Sequence, residues 1–349
     1  MYPYQKAQVS FKKLEEIGQE GQNSKVYRIH DEFLDAEMVI KEVDKSTDFS
    51  ADDYFSEART LYRSSHPYVV QVSYACEDDD KIYVASPYYK NGSLKRLMST
   101  RFLTTKDIIR YSTHILNGLH NVHSKGLIHF DIKPDNVLIS DRNEALLADF
   151  GLTKVMDKEG IAKQPKLYIK QFPPEVFGNR EREFDNRFDI YQIGLTMYRM
   201  CVGDAAFDKQ FSVYQTGEEF GMDVVSGKFP DRKSYPLHIP QKLQRTINKC
   251  LKVNPGDRFG SAIEVVNALA DIDGSILYWE YKPTDAHQIW ESNVDGVTKT
   301  ISICNEGKSK AYRKTGSSEP RRIKEYCKDD ITDTDIIRFL NDEKTKRKK

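Results

Sequence analysis

The sequence predicts an α+β chain in three parts: a small strand-rich region, a larger and mainly helical region, and a short α+β appendix. Three observations carry this prediction. Residues 11–95 set short β-branched and aromatic runs around one helical stretch. After Ser93, apolar residues recur every three or four positions. Beyond Asp273-Gly274, hairpin signals return.

Taken in order, residues 26–29, 38–43, 69–74 and 81–86 read as strands by their side-chain content. Between them residues 52–64 read as a helix, because Tyr54, Ala58 and Leu61 share one face. Ile108, Tyr111, Ile115, Leu119 and Val122 mark a long amphipathic helix. Residues 189–200 are a second, more apolar helical stretch, which predicts burial. Residues 261–272 form another, after the turn Asn254-Pro255-Gly256-Asp257. In the appendix, Asp295-Gly296 and Glu306-Gly307 predict hairpin turns beside strands at 297–304 and 311–314. Helical stretches are expected at 321–327 and 334–341, and a basic tail at 344–349. Trp279 and Trp290, with Tyr278 and Tyr281, read better as the core of a small domain than as a recognition surface.

Composition narrows the setting. Lysine plus arginine equals aspartate plus glutamate, so global charge argues for no polyanionic or polycationic partner. The appendix's basic residues read as a solvated surface, and a nucleic-acid partner is not expected. The first residues lack the apolar core of a secretion signal, and there is no run of eighteen apolar residues to span a membrane. Five cysteines, scattered and without a C-x-x-C pair, suit neither a disulfide framework nor a zinc site. A reducing, cytoplasmic setting is therefore expected.

The strongest chemical signal is His129-Phe130-Asp131-Ile132-Lys133-Pro134-Asp135-Asn136, followed by Asp149-Phe150-Gly151. Singly, Asp131 reads as a loop acid and the tripeptide as a turn. In this order and spacing they resemble the eukaryotic-type protein kinases, over residues 11–272. The chemistry agrees with the resemblance. Phosphoryl transfer needs a hydroxyl aimed at phosphorus and cancellation of phosphate charge. Asp131 can orient that hydroxyl and accept its proton. Lys133, two residues on, can neutralise charge developing on the γ-phosphate. Asn136 and Asp149 supply the hard oxygen ligands that Mg²⁺ takes, and Gly151 lets the chain turn.

The resemblance implies a bilobal protein-kinase fold: an antiparallel small lobe at 11–86, a hinge at 87–92 and a helical lobe at 93–272. It leaves 275–343 as an accessory domain, where a partner could dock. It implies ATP and Mg²⁺ as cofactors, and a protein bearing a serine or threonine acceptor as substrate. Lys41 then holds the α- and β-phosphates, and Glu57 pairs with it. Alone, these would be an exposed strand lysine and a solvated helix glutamate. The phosphate-covering loop runs from Ile17 and Gly18 through Gly21 to Val26, with Ser24 where the family has a third glycine. Val26, Val39 and Leu138 would sandwich the adenine. Ser86 is the small residue behind it, and Pro87 and Tyr89 offer a carbonyl and an N–H. Glu175 and Arg258 are expected to pair, and Asp189 to brace the catalytic loop. Lys133 resembles the serine/threonine branch. Phe130 stands where the family often has an arginine that pairs with an activation-segment phosphate, so activity without such a phosphate is expected. Thr153 and Tyr168 are the candidates for autophosphorylation, and Tyr168 stands where many members have a threonine. A nucleotide-binding scaffold without transfer is the rival reading. A small-molecule kinase is disfavoured by Pro174-Glu175 with Arg258.

Overall fold

Five antiparallel strands form the first layer: β1 (Phe11–Gln19), β2 (Ser24–Asp31), β3 (Ala36–Asp44), β4 (Tyr74–Glu77) and β5 (Lys81–Pro87), in the order β1-β2-β3-β5-β4. They are seen in a computed structural model that describes residues 8–19, 24–45, 51–164, 168–178 and 181–342. Alternation puts Ile29, Met38, Ile40 and Ala85 in one buried cluster. On β3 the buried Glu42 carboxylate is held by Lys13 at 2.5 Å and by Lys81. Helix α1 (Ala51–Arg63) connects β3 to β4 and buries Ala58 and Leu61.

The strand expected at 69–74 is only partly one. Tyr74 begins the ladder, whereas Val70 N–H bonds to the Leu147 carbonyl at 2.8 Å and Leu147 N–H to the Tyr68 carbonyl at 2.9 Å. The start of that run bonds to the large lobe, while Ser73 N–H already reaches the Ala85 carbonyl of β5 at 2.8 Å, so β-branched content alone misplaced where the strand begins.

The large lobe begins with α2 (Leu94–Thr100) and α3 (Thr105–Ser124). Thr104 caps α3 by accepting from Asp107 N–H, and all five apolar residues expected on its inner face are buried. The segment carrying Asp131 follows, with β6 (Leu127–Ile128), β7 (Val137–Ile139) and β8 (Ala145–Leu147). Next come β9 (Lys154–Val155), β10 (Ala162–Lys163) and β11 (Glu183–Phe184). Helix α4 (Arg187–Val202) is buried along nearly its whole length, as its mainly apolar sequence led one to expect. Around it stand α5 (Asp204–Phe211), α6 (Gly217–Val225), α7 (Gln241–Cys250) and α8 (Ala262–Ala270). Arg258 grips Glu175 with a two-pronged contact at 2.8 and 2.5 Å, the pairing expected from sequence. The two-lobed arrangement is thus the one the motifs implied.

After Gly274 the chain builds a meander, β12 (Glu280–Pro283), β13 (His287–Val294), β14 (Val297–Cys304), β15 (Ser309–Thr315) and β16 (Arg321–Arg322), closed by α9 (Asp333–Leu340). Both predicted hairpins are present, with Asp295 and Gly296 both at positive φ and Gly307 likewise. Residues 321–327 are not the expected helix. Arg321–Arg322 pairs with β15, and only Lys324–Tyr326 makes a 3₁₀ turn, because the β15 edge takes up the backbone first. Trp279 and Trp290 are core, with Ile301, Ala311 and Phe339 around them. Trp279 Nε1–H donates to the Leu340 carbonyl at 2.9 Å, tying α9 to the start of the meander. Among the described residues, no helix is long and apolar enough to cross a membrane.

Candidate active site

Asp131 lies in the loop between β6 and β7, only 2% exposed. Lys133 Nζ donates to both its oxygens, at 2.9 and 2.7 Å. Asn136 Nδ2 donates to Asp131 Oδ2 at 2.6 Å and to its carbonyl at 3.0 Å. With its amide hydrogens so engaged, Asn136 keeps its side-chain carbonyl as a free acceptor. Burial pushes the Asp131 carboxyl above the ordinary aspartate range, Lys133 pulls it back, and the like charge of Asp149 adds to the rise. A buried carboxylate with raised proton affinity is suited to accept a hydroxyl proton.

What fixes this loop is a polar stripe on α4. Asp189 accepts from His129 N–H and Phe130 N–H, each at 2.8 Å, and lies 2.8 Å from His123 Nε2. Gln192 accepts from Ile132 N–H at 3.0 Å and donates to the Phe130 carbonyl at 3.0 Å. Thr196 Oγ1 donates to the Ile132 carbonyl at 3.3 Å. Asp189 was expected from sequence, but Gln192 and Thr196 were not. Their spacing from Asp189, three and seven residues, is one helix face, and polar residues repeating on a buried helix were the available signal.

Phe130 adopts φ of 68°, and Asp149 φ of 58°, a backbone region that non-glycine residues rarely occupy. Phe130 is held there by the α4 bonds above. Asp149 Oδ1 accepts from Gly151 N–H at 3.2 Å. Phe150 is buried edge-on to His129, with ring centres 4.8 Å apart. Phe130 packs with Ile128, Ala162, Val176, Phe184 and Phe188. Tyr168, 58% exposed, lays its ring 4.1 Å from Lys133 Nζ.

The small lobe supplies the remaining candidates. Register sets Val26 beside Gly18 and Lys41, and Val39 beside Ser86. Val26, Val39, Ser86 and Leu138 are half-buried, while Ile17 is exposed near the end of β1. A bridge joins Ser93 to Leu138, so the chain after Pro87 and Tyr89 is stitched to β7. Gly21 lies outside the described residues. Glu57 falls on α1, as expected, and its side chain is likewise outside the described set.

Asn136 and Asp149 offer oxygen donors of the kind Mg²⁺ takes. Among the described residues no group of three histidine, cysteine, aspartate or glutamate side chains could hold a metal by itself.

Comparison with known proteins agrees with this geometry. The family model described as "Protein kinase domain" matches residues 11–269. A "Mitogen-activated protein kinase kinase kinase 1b" of Physcomitrium patens is 30% identical over 205 residues, 58% of this chain and 25% of the relative. A probable serine/threonine-protein kinase of Dictyostelium discoideum is 31% identical over 198 residues, 55% of this chain and 28% of its own. Another from Clostridium acetobutylicum is 25% identical over 274 residues, covering 75% of this chain and 40% of its own. The matches thus span well under half the length of these relatives. With the family model spanning most of the chain and the catalytic loop, brace and two-lobed fold all in place, the chain belongs to the protein kinase family.

Proposed function

We propose that this chain transfers the γ-phosphate of MgATP directly to serine or threonine hydroxyls of a protein substrate. The observation that carries the reading is the buried Asp131 carboxylate, shared between Lys133 and Asn136 and braced from α4. Asp131 orients the acceptor hydroxyl and takes its proton. Lys133 and Lys41 neutralise phosphate charge, and Asn136 and Asp149 are the Mg²⁺ ligands. Bound MgATP supplies the phosphoryl group and the metal charge that offsets its oxygens. Ile17, Gly18, Gly21, Val26, Val39, Ser86, Pro87, Tyr89 and Leu138 are the residues proposed to enclose the nucleotide, and Glu57 to orient Lys41. The serine/threonine assignment rests on Lys133 and on the printed names of the relatives. The catalytic unit is proposed to end near residue 272, with 275–343 as an accessory domain.

We further propose that no activation-segment phosphate is needed. Residues 152–172 carry only two hydroxyls, Thr153 and Tyr168. Thr153 Oγ1 is buried, and Phe130 offers an apolar cluster in place of a cation. The test is transfer from labelled MgATP to a generic protein, with phosphoamino-acid analysis. Wild type and the double variant Thr153→Ala/Tyr168→Phe are expected to label serine or threonine to within about threefold of each other, while Asp131→Asn loses about a thousandfold or more. No label from wild type that still binds ATP would instead favour the scaffold reading.

A further inference from the structure

Tyr168 is a large aromatic side chain left mostly in solvent beside Lys133. The backbone beneath it is fixed. Gln171 N–H bonds to the Tyr168 carbonyl at 3.0 Å, closing the 3₁₀ turn Ile169–Gln171. Gln192 Nε2 of α4 donates to the Gln171 carbonyl at 3.5 Å, and Lys170 Nζ meets Asp208 of α5 at 3.0 Å. The turn that carries the exposed ring is therefore pinned to the same helix that braces the Asp131 loop.

What the ring touches is the ammonium, with Lys133 Nζ 4.1 Å from its centre. Among the described residues the Tyr168 hydroxyl makes no hydrogen bond, so the contact belongs to the π face. An ammonium has three N–H donors, and Asp131 takes two of them. The ring covers part of what the carboxylate leaves. Lysine otherwise carries its charge on a flexible four-carbon stem. Carboxylate and ring together fix it, as they do elsewhere in this chain: Lys170 sits between Asp208 and Phe211, and Lys13 between Glu42 and Tyr27. At Lys133 the lysine so fixed is the one assigned to the γ-phosphate. A ring face attracts an ammonium less strongly than a charged oxygen does, so the hold is one that phosphate can displace.

We propose that Tyr168 is a positioning residue for phosphoryl transfer: its ring face holds the Lys133 ammonium against Asp131 until a γ-phosphate oxygen takes the place of the ring. This rests on the phosphoryl-transfer reading of Asp131 and Lys133. Tyr168 acts through Lys133 and not by contact with the reacting atoms. Because Lys133 answers charge that develops on the γ-phosphate, losing the ring slows the chemical step more than it weakens MgATP binding. The negative face of the ring is what matters, and the hydroxyl is dispensable.

The test varies residue 168 in the full chain and reads single-turnover transfer from MgATP to a generic protein. Tyr168→Phe keeps the ring and is expected to stay within about threefold of wild type. Tyr168→Leu keeps bulk without a ring and is expected to transfer about tenfold more slowly, with KM for MgATP and melting temperature little changed. Phenylalanines at this position bearing one, two and three ring fluorines, which strip negative charge from the face, are expected to slow transfer stepwise. A companion measurement needs no transfer. In nucleotide-free protein with carbon-13-labelled lysine, the Lys133 Cε protons, assigned with Lys133→Arg, are expected upfield in wild type and Tyr168→Phe and at their ordinary position in Tyr168→Leu. Transfer undiminished in Tyr168→Leu, rates flat across the fluorinated series, or a Lys133 signal indifferent to residue 168 would each overturn the proposal and leave the transfer reading standing. A wild type whose Lys133 signal is shifted but which transfers nothing would overturn that reading and this proposal together.

Discussion

Phe130 shows how one residue can replace an electrostatic device with a packed one. Its ring sits edge-on to Phe188 at 4.9 Å and to Phe184 at 6.0 Å, so strand β11, just beyond the activation segment, and the start of α4 are held by aromatic contact. Such pairs contribute about 0.5–1.5 kcal/mol each beyond area burial. Phe130→Arg puts a guanidinium into this cluster of apolar side chains, and an unpaired buried charge costs about 3 kcal/mol or more. The expected outcome is a melting temperature several degrees lower and little transfer activity, whereas Phe130→Leu keeps most of both. Parallel thermal denaturation and labelled-ATP assays would read this. Sequence made the missing arginine visible. It could not show what fills the space, because Phe184 and Phe188 are distant in the chain.

At the scale of elements, the large-lobe helices α3, α4 and α8 were legible, whereas α2, α5, α6 and α7 and the irregular connections were not read from the sequence. Helix α3 declared itself through five apolar residues on one face, and the Thr104 cap appeared only in the structure. Residues 69–74 and 321–327 were misread because part of their backbone pairs outside the segment, with Leu147 for the first and with the neighbouring strand β15 for the second. The brace on α4 was half legible: Asp189 stood out, while Gln192 and Thr196 were masked by the apolar run around them. Helix α3 also carries a constraint invisible to periodicity. A Cβ at Gly118 would lie 2.5 Å from the Tyr68 carbonyl oxygen, which is backbone and cannot swing aside. Alanine at an ordinary helix site gains about 1 kcal/mol over glycine. Here Gly118→Ala should instead lower stability by about 1–3 kcal/mol through overpacking, measured by urea denaturation. A neutral or stabilising result would mean that the small lobe's connection to α3 yields easily.

At the scale of the molecule, the question is how the meander joins the kinase lobes. Sequence predicted its hairpins and its aromatic core, but not where it sits. Buried His238, just before α7, accepts from Trp290 Nε1–H at 3.2 Å and lies beside Tyr281. The His238 carbonyl accepts from Thr105 Oγ1 at 3.2 Å, at the start of α3. Burial lowers the His238 imidazole from 6.5 to about 4. Between those values the unfolded chain binds a proton that the folded chain does not. The stability His238 supports is therefore complete above about pH 6.5 and declines as pH falls toward 4, by at most roughly 3 kcal/mol. His238→Gln keeps an acceptor for Trp290 without a titrating ring. Melting temperature in that range should depend less on pH for the variant than for wild type, and identical slopes would remove His238 from the account.

The same seam alters what the turn at Asp273-Gly274 means. It divides the chain in sequence but not in surface: Phe102 meets Tyr281 with ring centres 5.1 Å apart, and Leu237 packs into the meander's core cluster. A fragment cut there would carry the footprint of its missing neighbour, an apolar scar at the base of the large lobe opposite a sheet that has lost its floor. The meander is in this sense a wall of the large lobe, and trimming the chain at Asp273-Gly274 would trade one buried seam for two sticky surfaces.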